Sequence, residues 1–240
     1  MIQRKPEWLR KKVNQGEQSH MRQLLGELRL NTVCQQALCP NISECFSCGQ
    51  ATFLILGTIC TRQCSFCNVE KNVPLMVDGE EPARIAEAVT RLKLLHVVIT
   101  SPTRDDLPDG GASHYSATVS SIKNASAGTR IELLIPDFLG NQKSLESIVA
   151  SQPDIIAHNV ETVPRLYHVR SGADYQRSLD ILKQCHELAP LISSKSGIML
   201  GMGEEESEVV QVIDDLRAVN CTYLSIGQYL PPSKKHYPVQ

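Results

Sequence analysis

The sequence predicts an α/β fold in which parallel strands alternate with helices, with a cysteine-rich extension laid on its N-terminal side. Three observations carry that expectation. Short runs rich in Ile, Leu and Val recur from residue 51 onward, segments with helical spacing lie between them, and residues 1–50 are polar and lack a sustained period. Strands that are apolar almost throughout are buried on both faces, which is the condition of a parallel sheet covered by helices.

The strands are expected at ATFLILG (51–57), HVVITS (96–101), RIELLIPD (130–137), DIIAHNV (154–160), SGIMLG (196–201) and TYLSIGQY (222–229), each a short apolar run. Between them, PARIAEAVTRLKLL (82–95) sets Ile85, Ala88, Val89 and Leu92 on one helical face, and EVVQVIDDLRAV (208–219) does the same with Val209, Val212, Ile213 and Leu216. Less regular segments near 114–127, 143–151 and 175–188 complete the alternation. Six strands and five helices suit a partial (β/α)6 barrel of the TIM type, and spacing alone suits a doubly wound open sheet as well. In either case function belongs at the C-terminal ends of the strands. Residues 1–50, with one helical run at MRQLLGELRL (21–30), are expected to form the extension, 51–230 the main body and 231–240 a short tail.

Composition narrows the partners. At 240 residues and 42% apolar content the chain can build one substantial core. A formal net charge of -2, from 24 basic and 26 acidic residues, supplies no broad field for a phosphate backbone, so nucleic acid is not expected as a partner. No run reaches the roughly 18 apolar residues of a spanning helix. The opening MIQRKPEWLRKKVNQ is charged where a signal peptide is apolar, so a cytoplasmic location without membrane association is expected. Thiols are kept reduced there, which turns nine cysteines from a disulfide framework towards metal or catalytic use. Seven of them, Cys34, Cys39, Cys45, Cys48, Cys60, Cys64 and Cys67, fall in one 34-residue window. Cys185 and Cys221 lie outside it and read as small core residues.

Cys60, Cys64 and Cys67 form C-x3-C-x2-C directly after the first strand. Three thiolates in one tight loop can hold three corners of a [4Fe–4S] cube and leave the last iron open for chemistry. With Phe66 before the third cysteine, the loop resembles that of radical S-adenosylmethionine (SAM) enzymes, in which the open iron chelates SAM and an electron from the cluster cleaves its sulfonium. A zinc alternative exists on spacing alone. Cys45-x2-Cys48 and Cys64-x2-Cys67, 15 residues apart, match a four-cysteine zinc site, but that site leaves Cys34, Cys39 and Cys60 unexplained. Cys34, Cys39 and Cys45, spaced C-x4-C-x5-C, suggest a second cluster able to supply sulfur, electrons or substrate anchoring.

Together with further stretches, these motifs resemble the lipoyl synthase family along nearly the whole chain. The matching segments are RKPEWLRKK (4–12), TVCQQALCPNISEC (32–45), ATFLILGTICTRQCSFCNV (51–69), TSPTRDDLPDGGASHY (100–115), ELLIPDF (132–138), HNVETVPRLYHVRSGADYQRSL (158–179), SKSGIMLGMGE (194–204) and LSIGQYLPPS (224–233). The resemblance implies a partial (β/α)6 barrel with two [4Fe–4S] clusters and SAM as cofactors. It implies a sulfurtransferase in which the Cys60, Cys64 and Cys67 cluster cleaves SAM reductively, twice per product. The radicals remove hydrogen from the sixth and eighth carbons of an octanoyl chain on a carrier-domain lysine. The Cys34, Cys39 and Cys45 cluster is then consumed as the sulfur donor.

The implied partners are octanoylated lipoyl-carrier domains, either the E2 component of 2-oxoacid dehydrogenases or the H protein of glycine cleavage. An electron donor such as ferredoxin or flavodoxin, and an iron–sulfur carrier protein, are implied as well. At finer grain, Ser101 is expected to meet the SAM amino group through its backbone, and Asn159 and Arg170 to make polar and carboxylate contacts to SAM. Arg suits a carboxylate through its bidentate fork. Asp105, Asp106 and Asp109 read as loop-forming side chains and carry no catalytic assignment. The family normally continues past the GQYL stretch to an Arg-Ser-Ser-Tyr motif whose serine is the fourth ligand of the second cluster. The sequence ends at Gln240 without it, so either the copy is shortened or the last ligand comes from elsewhere, with Cys48 as one candidate to replace the serine.

Overall fold

Seven strands form a single sheet in the order β1-β2-β5-β6-β7-β8-β9. They are β1 (Asn31–Thr32), β2 (Thr52–Leu54), β5 (His96–Thr100), β6 (Arg130–Leu134), β7 (Ile155–Ala157), β8 (Ser193–Leu200) and β9 (Tyr223–Gln228). This computed structural model describes residues 15–39, 41–47 and 50–240, so Cys48 and the RKPEWLRKK stretch lie outside the described residues. From β2 to β9 every neighbour is parallel, and only β1 runs antiparallel to β2. Each new strand is added on the same side of the last. A doubly wound sheet reverses direction partway, so this order is that of a partial barrel.

The six expected strands are the six parallel ones, and the helices fall where periodicity placed them. α4 (Glu81–Arg91), α5 (Ala112–Ala125), α6 (Gln142–Ala150), α7 (Tyr175–Leu188) and α8 (Glu206–Ala218) each connect consecutive parallel strands. Their starts are set locally. Asn141 Oδ1 accepts from the Ser144 N–H at 3.3 Å, Asp174 Oδ1 from the Arg177 N–H at 2.8 Å, and Pro82 occupies the first turn of α4. Ile85, Ala88 and Val89 of α4, Tyr115 and Val119 of α5, and Leu145 and Ile148 of α6 are buried against Val97, Ile99, Ile131 and Leu133 of the sheet. Each fully buried Leu, Ile or Val side chain contributes about 1.5–3 kcal/mol.

The N-terminal extension shares this core. α1 (Gln15–Glu27) contributes Met21, Leu24 and Leu25, which pack in one cluster with Phe46 and Phe53. Two short helices, α2 (Val33–Gln36) and α3 (Ile42–Ser47), carry the cysteines of the extension, and Thr32 caps α2 through its hydroxyl. A second apolar cluster, with Val160, Leu166, Leu182, Val212 and Tyr229, fills the barrel's other side. The final residues fold back over it. Tyr229 donates its hydroxyl to the Tyr237 carbonyl at 2.8 Å, and the Gln240 N–H reaches the Gly201 carbonyl at 3.0 Å. Among the described residues no helix is long and apolar enough to cross a membrane.

Candidate active site

The chain leaves β2 through two left-handed residues, Leu56 at φ +65° and Gly57 at φ +88°. Leucine rarely adopts that conformation, so something must hold it. The Leu56 N–H donates to a Glu81 carboxylate oxygen at 2.8 Å, and its carbonyl accepts from Arg104 Nη1 at 3.0 Å. Glu81 is itself 2.8 Å from His114 Nε2, and both side chains are buried. Arg104 is steadied by Asp106 through two contacts of 2.8 Å. The RDD stretch therefore clamps the turn from which the cysteine loop starts.

Beyond the turn lie β3 (Ile59–Cys60) and β4 (Glu70–Lys71), a small parallel pair, with Cys64 and Cys67 in the loop between them. The loop is tied down at several points. The Ser65 N–H donates to the Val169 carbonyl at 2.9 Å, the Tyr237 N–H donates to the Ser65 carbonyl at 3.0 Å, and Lys71 Nζ reaches the Cys67 carbonyl at 2.8 Å. All three cysteines are half-buried, and none of the eight described cysteines is in a disulfide. Burial pushes the Cys64 thiol up, against the Arg170 charge that lowers it, and Cys60 raises it further. Burial likewise pushes Cys67 up to about 11, with a hydrogen bond from Val69 lowering it and Cys64 and Cys60 raising it. The neighbouring thiols thus lie close enough to oppose the ionisation of Cys64 and Cys67, which is the situation a bound metal relieves by taking the thiolates.

Among the described residues, no three His, Cys, Asp or Glu side chains converge on a point as one metal ion requires. The zinc alternative therefore gains no support from Cys45, Cys64 and Cys67, and its Cys48 lies outside the described residues. A cubic cluster takes each thiolate on a different iron, so its ligands stand farther apart than those of a single ion.

Beside this loop, at the C-terminal ends of β5, β6 and β7, opens a cleft of about 140 Å³. Ser101, Asn159 and Arg170, the three residues expected at SAM, all line it, together with Arg62, Asp137, His158 and Glu161. Ser101 Oγ accepts from the buried Tyr115 hydroxyl at 3.0 Å, which fixes the backbone at the β5 end. Arg170 Nη1 donates to the Val160 carbonyl at 3.2 Å and the Tyr167 hydroxyl at 2.5 Å, while its buried Nε has no hydrogen-bond partner. An unsatisfied guanidinium N–H is costly, and a ligand carboxylate would satisfy it. Burial and the nearby Arg170 charge push His158 down to about 4, so it is held neutral, bridging the Ile135 carbonyl and Ser178 Oγ. Desolvation raises the Glu161 carboxyl, while Arg170 and a hydrogen bond from Asn159 lower it.

Two of the extension's cysteines sit near the strand starts, and Asn68 Nδ2, next to Cys67, donates to the Gln36 carbonyl at 2.7 Å, which ties the extension to the cysteine loop. Cys34 and Cys45 line a larger cavity, about 520 Å³, together with Thr52, His96, Glu132 and Lys195 near the strand starts. Cys39 shares a neighbouring hollow with Cys34. Burial pushes the Cys34 thiol up, a Thr52 hydrogen bond lowers it and Cys39 raises it again. Lys195 Nζ is 2.8 Å from one Glu132 oxygen, and His96 Nε2 is 3.5 Å from the other. Cys185 is buried in the core with its thiol pushed up to about 12, and Cys221 is half-buried, donating to the Tyr223 carbonyl.

Four cleft residues escaped sequence reasoning: Arg62, Asp137, His158 and Glu161. Arg62 was signalled by its place inside C-x3-C, and Asp137 by its place at the end of an apolar strand run. His158 and Glu161 flank Asn159 in the same HNVE tetrad. Of the three acidic residues of RDDLPD, Asp109 accepts from the Gly111 and Ser113 N–H groups at 2.9 and 2.8 Å, while Asp106 pairs with Arg104 and Asp105 with Arg62.

Known proteins resemble the chain in both sequence and fold. A model of the radical SAM superfamily matches residues 54–216. A lipoyl synthase of Trichlorobacter lovleyi is 69% identical over 239 residues, covering 99% of this chain and 85% of the relative. Lipoyl synthases of Geotalea uraniireducens and Caldanaerobacter subterraneus are 64% and 55% identical, the match covering 100% of this chain and 84% of each relative. Among solved structures, a methylornithine synthase superposes with a TM-score of 0.60 at 14% identity, over 92% of this chain and 66% of that one. A maturase of the [FeFe]-hydrogenase gives 0.63 at 13% identity, over 78% and 45%. At such identities these two speak for the fold alone.

Proposed function

The chain belongs to the lipoyl synthase family of the radical SAM superfamily, and from that premise we propose that it inserts two sulfur atoms into an octanoyl chain. The acceptor carbons are the sixth and eighth, and the chain is carried on a lysine of a carrier domain. Cys60, Cys64 and Cys67 hold one [4Fe–4S] cluster, and Cys34, Cys39 and Cys45 hold a second whose sulfide is the substrate sulfur. When bound, the first cluster and SAM supply the one-electron chemistry needed to break an unactivated C–H bond. The observation that carries the reading is the pairing of a half-buried, disulfide-free cysteine trio with a cleft whose Arg170 holds a buried, partnerless Nε.

The residues of this chain bind and orient. Arg170 meets the SAM carboxylate, and the Ser101 backbone and Asn159 meet its other polar groups. His158, held neutral, adds no positive charge beside a sulfonium. The acyl chain is assigned the space between the two cysteine groups, which the Asn68 contact to the Gln36 carbonyl brings to neighbouring segments. The carriers proposed are the E2 and H-protein domains, with ferredoxin or flavodoxin as electron donor, an iron–sulfur carrier protein to rebuild the consumed cluster, and the cytoplasm as compartment.

Anaerobic reconstitution with iron and sulfide, then incubation with SAM, reductant and an octanoylated carrier peptide, tests this. Mass spectrometry is expected to show mono- and dithiolated peptide with deoxyadenosine. Cys34→Ala should still form deoxyadenosine but leave the peptide without sulfur, and Cys60→Ala should form neither product. Sulfur insertion by a Cys34→Ala protein would overturn the donor assignment.

A further inference from the structure

Resting on that reading, we propose that Arg62 is the positioning residue of the cysteine loop, keeping its thiols and the Ser101, Asn159 and Arg170 cleft in one relative geometry. Arg62 falls between Cys60 and Cys64, and its side chain is buried and lines the cleft. Nε and Nη2 donate to the two oxygens of Asp105 at 2.8 and 3.0 Å. Nη1 and Nη2 donate to the two oxygens of Asp137 at 3.1 and 2.6 Å. One guanidinium thus makes two forked contacts, a geometry that fixes orientation as well as distance.

The Asp137 carboxylate is anchored independently of Arg62, and Asp105 is held through its backbone. Asp137, just past β6, also accepts from Arg177 Nε at 2.8 Å and from the Leu139 N–H at 3.1 Å. Asp105, in the loop after β5, donates its backbone N–H to Thr61 Oγ1 at 3.1 Å. The grip reaches the cysteines through the backbone, since the Arg62 N–H lies 3.4 Å from Cys60 Sγ. The arginine stem is backed by Gly172 at φ +73°, where a Cβ would stand 3.4 Å from Arg62 Cδ. This one side chain therefore bonds the cysteine loop to the ends of β5 and β6 at once, beside the backbone ties that Thr61 makes to Thr103 and Asp105 and that Ser65 makes to Val169. Lysine, a point charge without the fork, cannot reproduce both contacts.

The test uses the reconstituted full chain and four variants: Arg62→Gln, Arg62→Lys, Asp105→Asn, and Arg62→Gln combined with Asp137→Asn. The double variant removes the buried charge that Arg62→Gln alone would strand, and Asp105→Asn alters a partner nearer the surface. Iron and sulfide are counted, the EPR spectrum of the reduced cluster is recorded with and without SAM, and KM for SAM is separated from kcat for deoxyadenosine. Expected are full iron content, a lost or broadened SAM-induced spectral change, and KM raised about tenfold or more for the Arg62 variants. Arg62→Lys should fail to rescue, and Asp105→Asn should shift both readouts part of the way. Folded variants that lose their iron, or that keep the wild-type spectral change and KM, overturn the proposal. A wild-type protein that forms no deoxyadenosine would instead overturn the functional reading on which it rests.

Discussion

Gly197 lies so close beneath Asn159 that a Cβ at Gly197 would stand 2.8 Å from Asn159 Oδ1, with the Asn159 Cγ at 3.1 Å. The missing side chain on β8 is thus what lets Asn159 stand at the end of β7 and line the cleft. Gly197→Ala is expected to push Asn159 aside while leaving the sheet paired, because the backbone at Gly197 is ordinary strand. Binding of SAM to the reconstituted protein should weaken about tenfold, or about 1.4 kcal/mol. Titration calorimetry under anaerobic conditions measures it, and unchanged affinity would remove Asn159 from the SAM contacts.

Asp137 links acid stability to the same region. Burial alone would raise its carboxyl, but the Arg62 hydrogen bond and charge, the Leu139 N–H and Arg177 bring it down to about 2. An unfolded Asp titrates near 4. The folded chain therefore binds fewer protons at this group between those values, so its contribution is present above about pH 4 and lost as pH falls towards 2. The amount is about 2 kcal/mol. Urea unfolding of wild type and Asp137→Asn across that window should show wild type losing stability relative to the variant as pH falls. A stability difference that stays constant with pH would contradict the assignment.

Much of this fold was legible because burial writes a pattern. Val97, Val98 and Ile99 in β5, or Ile155 and Ile156 in β7, are apolar in succession since helices and barrel interior cover both faces. The choice between barrel and open sheet was not legible, since it depends on the side to which each crossover adds its strand. β1, β3 and β4, of two residues each, escaped for a different reason. Asn31–Thr32 and Glu70–Lys71 carry no apolar period, and neighbours clamped elsewhere fix their pairing. In the site, the cysteines were readable from motif spacing, and Arg170 only through the family resemblance. The bonding of Arg62 to Asp137, 75 residues away, was not, because nothing local to either residue names its partner.

The Glu132–Lys195 pair offers a test of how charge is carried at the other end of the strands. Glu132 is buried, and it faces Lys195 at 2.8 Å and His96 at 3.5 Å on the cavity shared with Cys34 and Cys45. Lys195 is part-exposed, but removing it leaves the buried Glu132 charge with His96 alone, whereas removing both leaves no stranded charge. Lys195→Met alone should cost about 3 kcal/mol in urea unfolding, and Lys195→Met with Glu132→Gln should recover most of it. Equal losses in the single and double variants would mean that the pair is solvated.

Leu56 is the point at which strand becomes cysteine loop, and its strained backbone is held only from outside. With φ at +65°, both its N–H and its carbonyl are bonded to side chains, Glu81 and Arg104. Gly111 packs against its side chain, where a Cβ would come within 2.3 Å of Leu56 Cδ1. Glu81→Leu would leave a buried N–H and the His114 imidazole without their acceptor, at a cost of about 2–3 kcal/mol. Glu81→Gln keeps an acceptor for the N–H, and its loss should be smaller. Thermal unfolding ranks the two variants, and hydrogen exchange at Leu56 shows whether the turn itself has opened. If the turn is the launching point of the loop, exchange in Glu81→Leu should quicken from Leu56 into the residues around Cys60 while the β6 amides stay protected. Exchange that quickened uniformly over the sheet would make Glu81 a prop of the whole fold and not of this turn.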